Sequence, residues 1–136
     1  MTLPNASDAP PLHTDADVLE RVRQIVGPAI AASQLWIMFV DGDGRQAPVV
    51  MPVSDVPRHP PTGLLAGLTG VIGGLHRELI TDRGSGSVIL TYERVGPDAV
   101  QPADREWAAA LIGCCERAGM ALRGIFLSTR AGVRRL

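Results

Sequence analysis

The stretch SVILTYE, residues 87–93, decides the fold of this chain. Its side chains alternate between two faces, as expected of a β-strand. One set is Val88, Leu90 and Tyr92, and the other is Ile89, Thr91 and Glu93. A helix is predicted to follow, beginning at Pro102 and ending at Gly119, and then the strand Leu122–Ser128, buried on both faces. This strand–helix–strand succession indicates an α/β domain.

Two further strands are predicted upstream. Leu35–Val40 is a continuous apolar run, so it is expected to be a central strand with both faces buried. The sequence DGDG at 41–44 is a strong hairpin signal. The returning strand Ala47–Val53 contains Pro48 and Pro52, which place it at a sheet edge or at a bulge.

Two helices and a short strand complete the prediction. Thr14 and Asp17 have the spacing of a capping box, and the helix that they begin is expected to end at Gly27-Pro28. Apolar residues at helical spacing predict a longer helix over Leu64–Leu79. Its four glycines cost about 1 kcal/mol each relative to alanine, so close packing on a sheet is expected to offset them. They are Gly67, Gly70, Gly73 and Gly74.

The predicted order is therefore α-β-β-α-β-α-β-β, with Val133–Leu136 as the last strand. It describes an α/β domain with a mixed β-sheet flanked by helices, extending over residues 14–136. The proline-rich residues 1–13 are predicted to form a flexible leader.

Composition limits the functional classes. The chain has 136 residues, 46% of them hydrophobic, and a net charge of −1. One domain is expected, and a general nucleic-acid binder is unexpected because such proteins carry a basic excess. All thirteen basic residues are arginine, which suggests GC-rich coding of the actinobacterial kind. Adjacent Cys114 and Cys115 cannot form a disulfide framework, and no signal or membrane segment is visible. We therefore expect a cytoplasmic protein without membrane contact.

Several familiar motifs are excluded. Asp41 and Asp43 do not begin a calcium loop, because Arg45 occupies the third ligand position. The GSGS sequence at 84–87 precedes a strand instead of a helix, so a turn is favoured over a phosphate-binding loop. The histidines lack the short spacing of a zinc site. They are His13, His59 and His76. Cys114 and Cys115 are predicted to be buried and unreactive.

One constellation resembles a known family. Strand 87–93 ends at Glu93, Gly96 follows, and Asp104 stands eleven residues after Glu93 in the first turn of a helix. This spacing resembles the metal-binding segment of the JAB/MPN domain, in particular its RadC-like branch, which has His-x-His-Pro, a glycine and then an Asp. The resemblance covers most of residues 30–136 as topology and spacing.

The metal ligands of that family are not retained. Thr91 and Glu93 stand at the two histidine positions, Arg94 at the proline, and only Asp104 matches. The upstream catalytic glutamate of the family is also missing, since residues 44–53 contain no Glu. The resemblance thus implies a degenerate metal site with no zinc, no cofactor and no isopeptidase activity.

Two interpretations of the remaining polar residues stay open. Glu93 and Asp104 could hold a hard cation such as Mg²⁺ through oxygen ligands. Alternatively, Asp104 complements the helix terminus and Glu93 pairs with Arg94 or Arg105, and nothing binds.

Functionally, the resemblance implies a non-catalytic binding or regulatory module with an unidentified protein partner. A homodimer is a further expectation, because the short last strand could offer a pairing edge. One alternative is a metal-dependent hydrolase with an altered site at Glu93 and Asp104. Another is weak nucleic-acid binding through a C-terminal basic patch. The patch consists of Arg123, Arg130, Arg134 and Arg135.

Overall fold

The computed structural model of the chain describes residues 9–136. The helices and strands follow one another in the predicted order, and a 3₁₀ turn that was not predicted lies between the second helix and the third strand. They are α1 (Asp15–Ile25), β1 (Ser33–Val40), β2 (Gln46–Ser54), α2 (Thr62–Gly74), a 3₁₀ turn (Arg77–Leu79), β3 (Ser87–Arg94), α3 (Pro102–Ala118), β4 (Ala121–Thr129) and β5 (Gly132–Arg135).

The five strands form one mixed sheet in the order β2-β1-β3-β4-β5. β3 and β4 are parallel and are connected by α3, whereas the other neighbouring pairs are antiparallel. β1 is internal, as its apolar sequence predicts. β2, with its two prolines, lies at an edge, also as predicted, and its register with β1 shifts between Met38 and Val40.

Helices cover both faces of the sheet, and the alternation along β3 shows which residues belong to each face. Leu90 and Tyr92 belong to the core that contains Trp107 of α3 and Leu68 of α2. Ile89 belongs to a smaller core on the side of α1, with Val18, Val22 and Phe126. We refer to these two sides as the α3 face and the α1 face. Thr91 and Glu93 share the α1 face with Ile89.

The helix ends follow from local chemistry. Thr14 and Asp17 form the predicted capping box, in which each side chain accepts a hydrogen bond from the other residue's backbone N–H. Gly119 ends α3 with φ +69°, a left-handed conformation that glycine adopts readily. Within the described residues, no helix has the length and apolar character needed to cross a membrane.

The expected flexible leader needs a correction. Residues 1–8 lie outside the described residues, but residues 9–13 pack against the domain. Leu12 is buried, and its backbone N–H donates to Gly44 O at 2.7 Å. Arg21, itself buried, donates to Pro10 O at 2.7 Å and to Gln46 Oε1 at 2.9 Å. The domain therefore begins before residue 14.

Helix α2 differs from the prediction in length and in packing. It ends at Gly74, because the chain then forms the 3₁₀ turn over Arg77–Leu79, which keeps apolar residues near the helical spacing. Gly67, Gly70 and Gly74 have open space where a Cβ atom would be, so they do not mediate close packing on the sheet. Gly73 alone of the four lies near a neighbour, Ala118 of α3.

These environments predict opposite effects of two glycine-to-alanine substitutions. Gly67→Ala should raise the free energy of unfolding by about 0.5–1 kcal/mol, because alanine favours a helix interior and no atom obstructs its methyl group. Gly86→Ala should lower it by about 1–3 kcal/mol, since the methyl group would meet Leu79 Cβ and, at 2.5 Å, Val40 O. Urea denaturation of both variants measures the two changes in the free energy of unfolding. Equal effects would contradict the packing described here.

Candidate functional site

The Glu93 carboxylate lies near the end of β3 on the α1 face and is 1% exposed. Its Oε2 accepts hydrogen bonds from the backbone N–H groups of Ile30 at 2.8 Å and Ala31 at 2.7 Å. Its Oε1 accepts one from the Trp36 indole Nε1 at 2.8 Å. Three neutral donors therefore surround this carboxylate, and it fastens the segment between α1 and β1 to the sheet.

Thr91, two residues earlier on the same face, is completely buried. Its hydroxyl is enclosed and has no hydrogen-bond partner among the described residues. In the sheet it lies between Trp36 of β1 and Phe126 of β4. A neutral hydroxyl in these surroundings is a poor metal ligand.

Asp104 lies in the first turn of α3 and is also 1% exposed. It forms a two-pronged ion pair with Arg94, from Nε to Oδ1 at 2.7 Å and from Nη2 to Oδ2 at 2.7 Å. Oδ2 also accepts the backbone N–H of Gln101 at 2.8 Å, so Asp104 caps its helix. Burial alone would raise the pKa of this carboxyl. The hydrogen bonds from Arg94 and Gln101 outweigh burial and lower the pKa below its ordinary value.

The structure does not bring the three sequence-predicted residues together. Thr91 and Glu93 face α1, whereas Asp104 is drawn to the α3 face by Arg94, which follows Glu93 in β3 and therefore points the opposite way. The expectation that Asp104 lies beside Thr91 and Glu93 is therefore wrong. Among residues 9–136, no three His, Cys, Asp or Glu side chains are grouped so that they could hold a metal ion.

The interpretation in which Glu93 and Asp104 serve only the fold also needs one correction. Asp104 does complement a helix terminus, as that interpretation states. Glu93, however, forms no ion pair with Arg94 or Arg105; its hydrogen bonds within the described residues come from two backbone N–H groups and one indole N–H.

The C-terminal arginines form a smaller free patch than the sequence suggests. Arg123 and Arg135 donate to the two carboxylate oxygens of Asp15 at 2.7 and 3.0 Å. These hydrogen bonds, first from Arg135 and then from Arg123, lower the pKa of Asp15 to about 2. Arg130 and Arg134 are exposed and have no ion pair among the described residues. Two of the four arginines are thus ion-paired with α1, and the single Asp15 carboxylate offsets one of their two charges.

The histidines and cysteines occupy separate places. His59 Nδ1 lies 2.8 Å from Glu106 Oε2 at the surface, His13 is exposed, and His76 precedes the 3₁₀ turn. Cys114 and Cys115 are buried on α3, as predicted. Burial raises the pKa of the Cys115 thiol to about 11, so its reactive thiolate is disfavoured.

Sequence reasoning missed the polar residues around a cleft of about 280 Å³ on the α3 face. It lies between the end of β3, the start of α3 and the loop after β2. Its lining includes Arg58, Tyr92, Arg94 and Gln101. These residues are scattered through the sequence and belong to no motif. The one available signal is the placement of Asp104 at a helix N-terminus after a strand that ends in Arg94.

Comparison of the chain with protein-family models, with curated proteins and with solved structures finds no match. The function proposed below therefore rests on the geometry of the site.

The Glu93 network predicts a specific loss of stability. In Glu93→Gln an amide –NH₂ replaces one acceptor oxygen, so at least one of the three N–H donors loses its partner. The free energy of unfolding should fall by about 1–3 kcal/mol. Thr91→Val is the matched control on the same strand face, because the Thr91 hydroxyl has no hydrogen-bond partner to lose within the described residues. Chemical denaturation measures both variants. A fully stable Glu93→Gln protein would contradict a structural role for this carboxylate.

The Arg94–Asp104 pair predicts a pH dependence. The folded-state pKa of Asp104 is below its ordinary value of 3.8. The contribution of this carboxylate to the free energy of unfolding is therefore complete above pH 3.8, and it is lost as the pH falls through the folded-state pKa. Asp104→Asn should therefore cost about 3 kcal/mol at neutral pH and less at acid pH.

Denaturation curves at several pH values measure how the stability difference between wild type and Asp104→Asn shrinks as the pH falls. Asp82→Asn is the control, because Asp82 is exposed and forms no ion pair within residues 9–136. A constant difference between wild type and Asp104→Asn at every pH would contradict the assignment.

Proposed function

We propose that the chain is a non-catalytic, JAB/RadC-like binding module that acts through protein contacts. One observation carries this proposal. The two carboxylates at positions that match the JAB/MPN metal segment in spacing, Glu93 and Asp104, already stabilise the fold. Glu93 accepts three hydrogen bonds, and Asp104 is held by Arg94 and by the backbone of Gln101.

The hydrolase alternative requires more than these side chains can supply. Metal-assisted hydrolysis needs ligands that converge on one ion and a free base that takes a proton from water. Glu93 and Asp104 lie on opposite faces of the sheet, and neither carboxylate is free of hydrogen bonds within the described chain. Both features favour a module without catalysis.

The outer edge of β5 is the contact surface that we propose. Leu136 N donates to Ile125 O at 2.9 Å, so in the antiparallel register Arg134 also bonds toward β4. The backbone groups of Val133 and Arg135 consequently point away from the sheet. The exposed guanidinium groups of Arg130 and Arg134 lie beside this edge. An acidic, extended segment of another protein would fit it by strand addition.

The same arginines disfavour the other partners considered. Pairing the β5 edges of two copies would bring Arg130 and Arg134 of each copy together, which opposes a homodimer through this edge. Nucleic-acid binding would have to depend mainly on these two arginines, because Arg123 and Arg135 are both ion-paired with Asp15, whose carboxylate offsets one of their two charges.

A metal titration tests the non-catalytic part of the proposal. Stoichiometric Zn²⁺ or Mg²⁺ should leave the melting temperature of the purified protein unchanged, since neither carboxylate can rearrange without breaking structural bonds. A rise in melting temperature that is lost in Asp104→Asn or Glu93→Gln would overturn this part.

A peptide titration tests the contact surface. A peptide of alternating Glu and Val residues should slow amide hydrogen exchange at Val133 and Arg135, and a Lys–Val peptide should not. The double variant Arg130→Glu/Arg134→Glu should abolish the effect, whereas the control Arg77→Glu/Arg105→Glu, at exposed arginines elsewhere, should retain it. Equal protection by both peptides, or by neither, would contradict the proposed edge.

A further inference from the structure

The cleft on the α3 face lies at the carboxyl end of β3, where the chain turns into α3. On one side of β3 is its parallel neighbour β4, reached through α3, and on the other side is the antiparallel β1. In open α/β sheets, crevices outside the carboxyl ends of strands, where connections diverge, are the usual ligand sites. The volume of about 280 Å³ is just below the usual range for drug-sized ligands, so only a small molecule would fit.

Tyr92 supplies an unpartnered polar group in this cleft. The residue is only 3% exposed, and its ring stacks on Trp107 with 5.4 Å between the ring centroids. Its hydroxyl forms no hydrogen bond within the described residues, yet it is not sealed in the core, and the side chain lines the cleft. Buried tyrosine hydroxyls ordinarily have a partner, so a ligand atom would complete this one.

The two cationic side chains of the cleft differ in what they already bind. Arg94 pairs with Asp104 and donates to Pro97 O at 2.6 Å and Ala99 O at 3.0 Å, which leaves little capacity for a ligand. The Arg58 guanidinium has no ion pair or hydrogen bond within residues 9–136. Of the three charged side chains that line the cleft, Arg94 and Asp104 pair with each other and Arg58 is left over.

The backbone at Arg58 is fixed even though its side chain is exposed. The Trp107 indole Nε1 donates to Pro57 O at 3.1 Å and to Arg58 O at 2.9 Å. One tryptophan thus holds both the loop that carries Arg58 and the ring of Tyr92. The first turn of α3 also borders the cleft through Ala103, and Asp104 already caps this helix terminus.

We infer that this cleft binds a small molecule with one oxyanion group, a carboxylate or a phosphate. Arg58 meets the negative charge, and the Tyr92 hydroxyl donates a hydrogen bond to an oxygen of the ligand. Ala32, Val56 and Pro97 provide apolar contacts for the remainder of the molecule. This inference is independent of the protein contact proposed for β5, which lies at the far edge of the sheet from β2.

Titration of the ¹⁵N-labelled full chain with inorganic phosphate and, separately, with acetate tests the inference at constant ionic strength. At least one anion should give saturable shifts at the amides of Arg58, Tyr92 and residues 103–105. Saturation by one anion alone identifies the oxyanion class.

Three variants make the test specific. Arg58→Ala should weaken binding about tenfold or more, and Tyr92→Phe several-fold. Tyr92→Phe should keep the melting temperature of the wild type, because the lost hydroxyl has no hydrogen-bond partner among residues 9–136. The control Arg83→Ala, at an exposed arginine near Asp43, should bind as the wild type does. Absence of saturable shifts with both anions, or equal affinities of Arg58→Ala and Arg83→Ala, would overturn the inference.

Discussion

The buried carboxylate of Glu93 is the interaction on which one end of the sheet depends. A carboxyl group with 1% exposure and no ion pair among residues 9–136 must be satisfied by hydrogen bonds, and three N–H donors provide them. Two of these donors belong to the segment between α1 and β1. Ala29 N and Ser128 Oγ add further bonds between this segment and the end of β4. Glu93 therefore closes the α1 face where the helix itself does not reach.

A second polar network lies on the opposite face, and it begins at the next residue. Arg94 joins the end of β3 to the first turn of α3 through Asp104, and it also fixes the loop between them through two backbone carbonyls. Because successive strand residues point to opposite faces, Glu93 and Arg94 organise two separate regions. Because of this alternation, Glu93 stabilises the α1 face, and Asp104, through Arg94, stabilises the α3 face. The alternation also leaves a cleft beside Arg94 in which Arg58 and Tyr92 have polar groups available.

The sequence was sufficient for much of the fold, because its signals are local. The period-two pattern of 87–93 placed Thr91 and Glu93 on one face, and the prolines of β2 placed that strand at an edge. Leu12 was missed because a single apolar residue after two prolines has no periodicity, and its backbone is held by Gly44, far along the chain. The length of α2 was overestimated because a 3₁₀ turn preserves nearly the same apolar spacing.

The site was harder to predict because it depends on partners that are distant in sequence. Nothing near Glu93 indicates that Trp36 and the amides of residues 30–31 would surround it. The tie between Asp15 and two C-terminal arginines joins residues more than a hundred positions apart. Charge counting could reveal the basic C-terminus but not the ion pairs that two of its arginines form with Asp15 of α1.

Amide hydrogen exchange at Ile30 and Ala31 tests most directly whether the Glu93 carboxylate is committed to the fold. The Ile30 residue is 93% exposed, so its amide would exchange rapidly if it were free in a surface loop. If Glu93 is committed to the fold, both amides exchange slowly in the wild-type protein, and at a rate set by opening of this end of the sheet. Rapid exchange of both amides would show that Glu93 is free for another role, and it would contradict the structural assignment of this carboxylate.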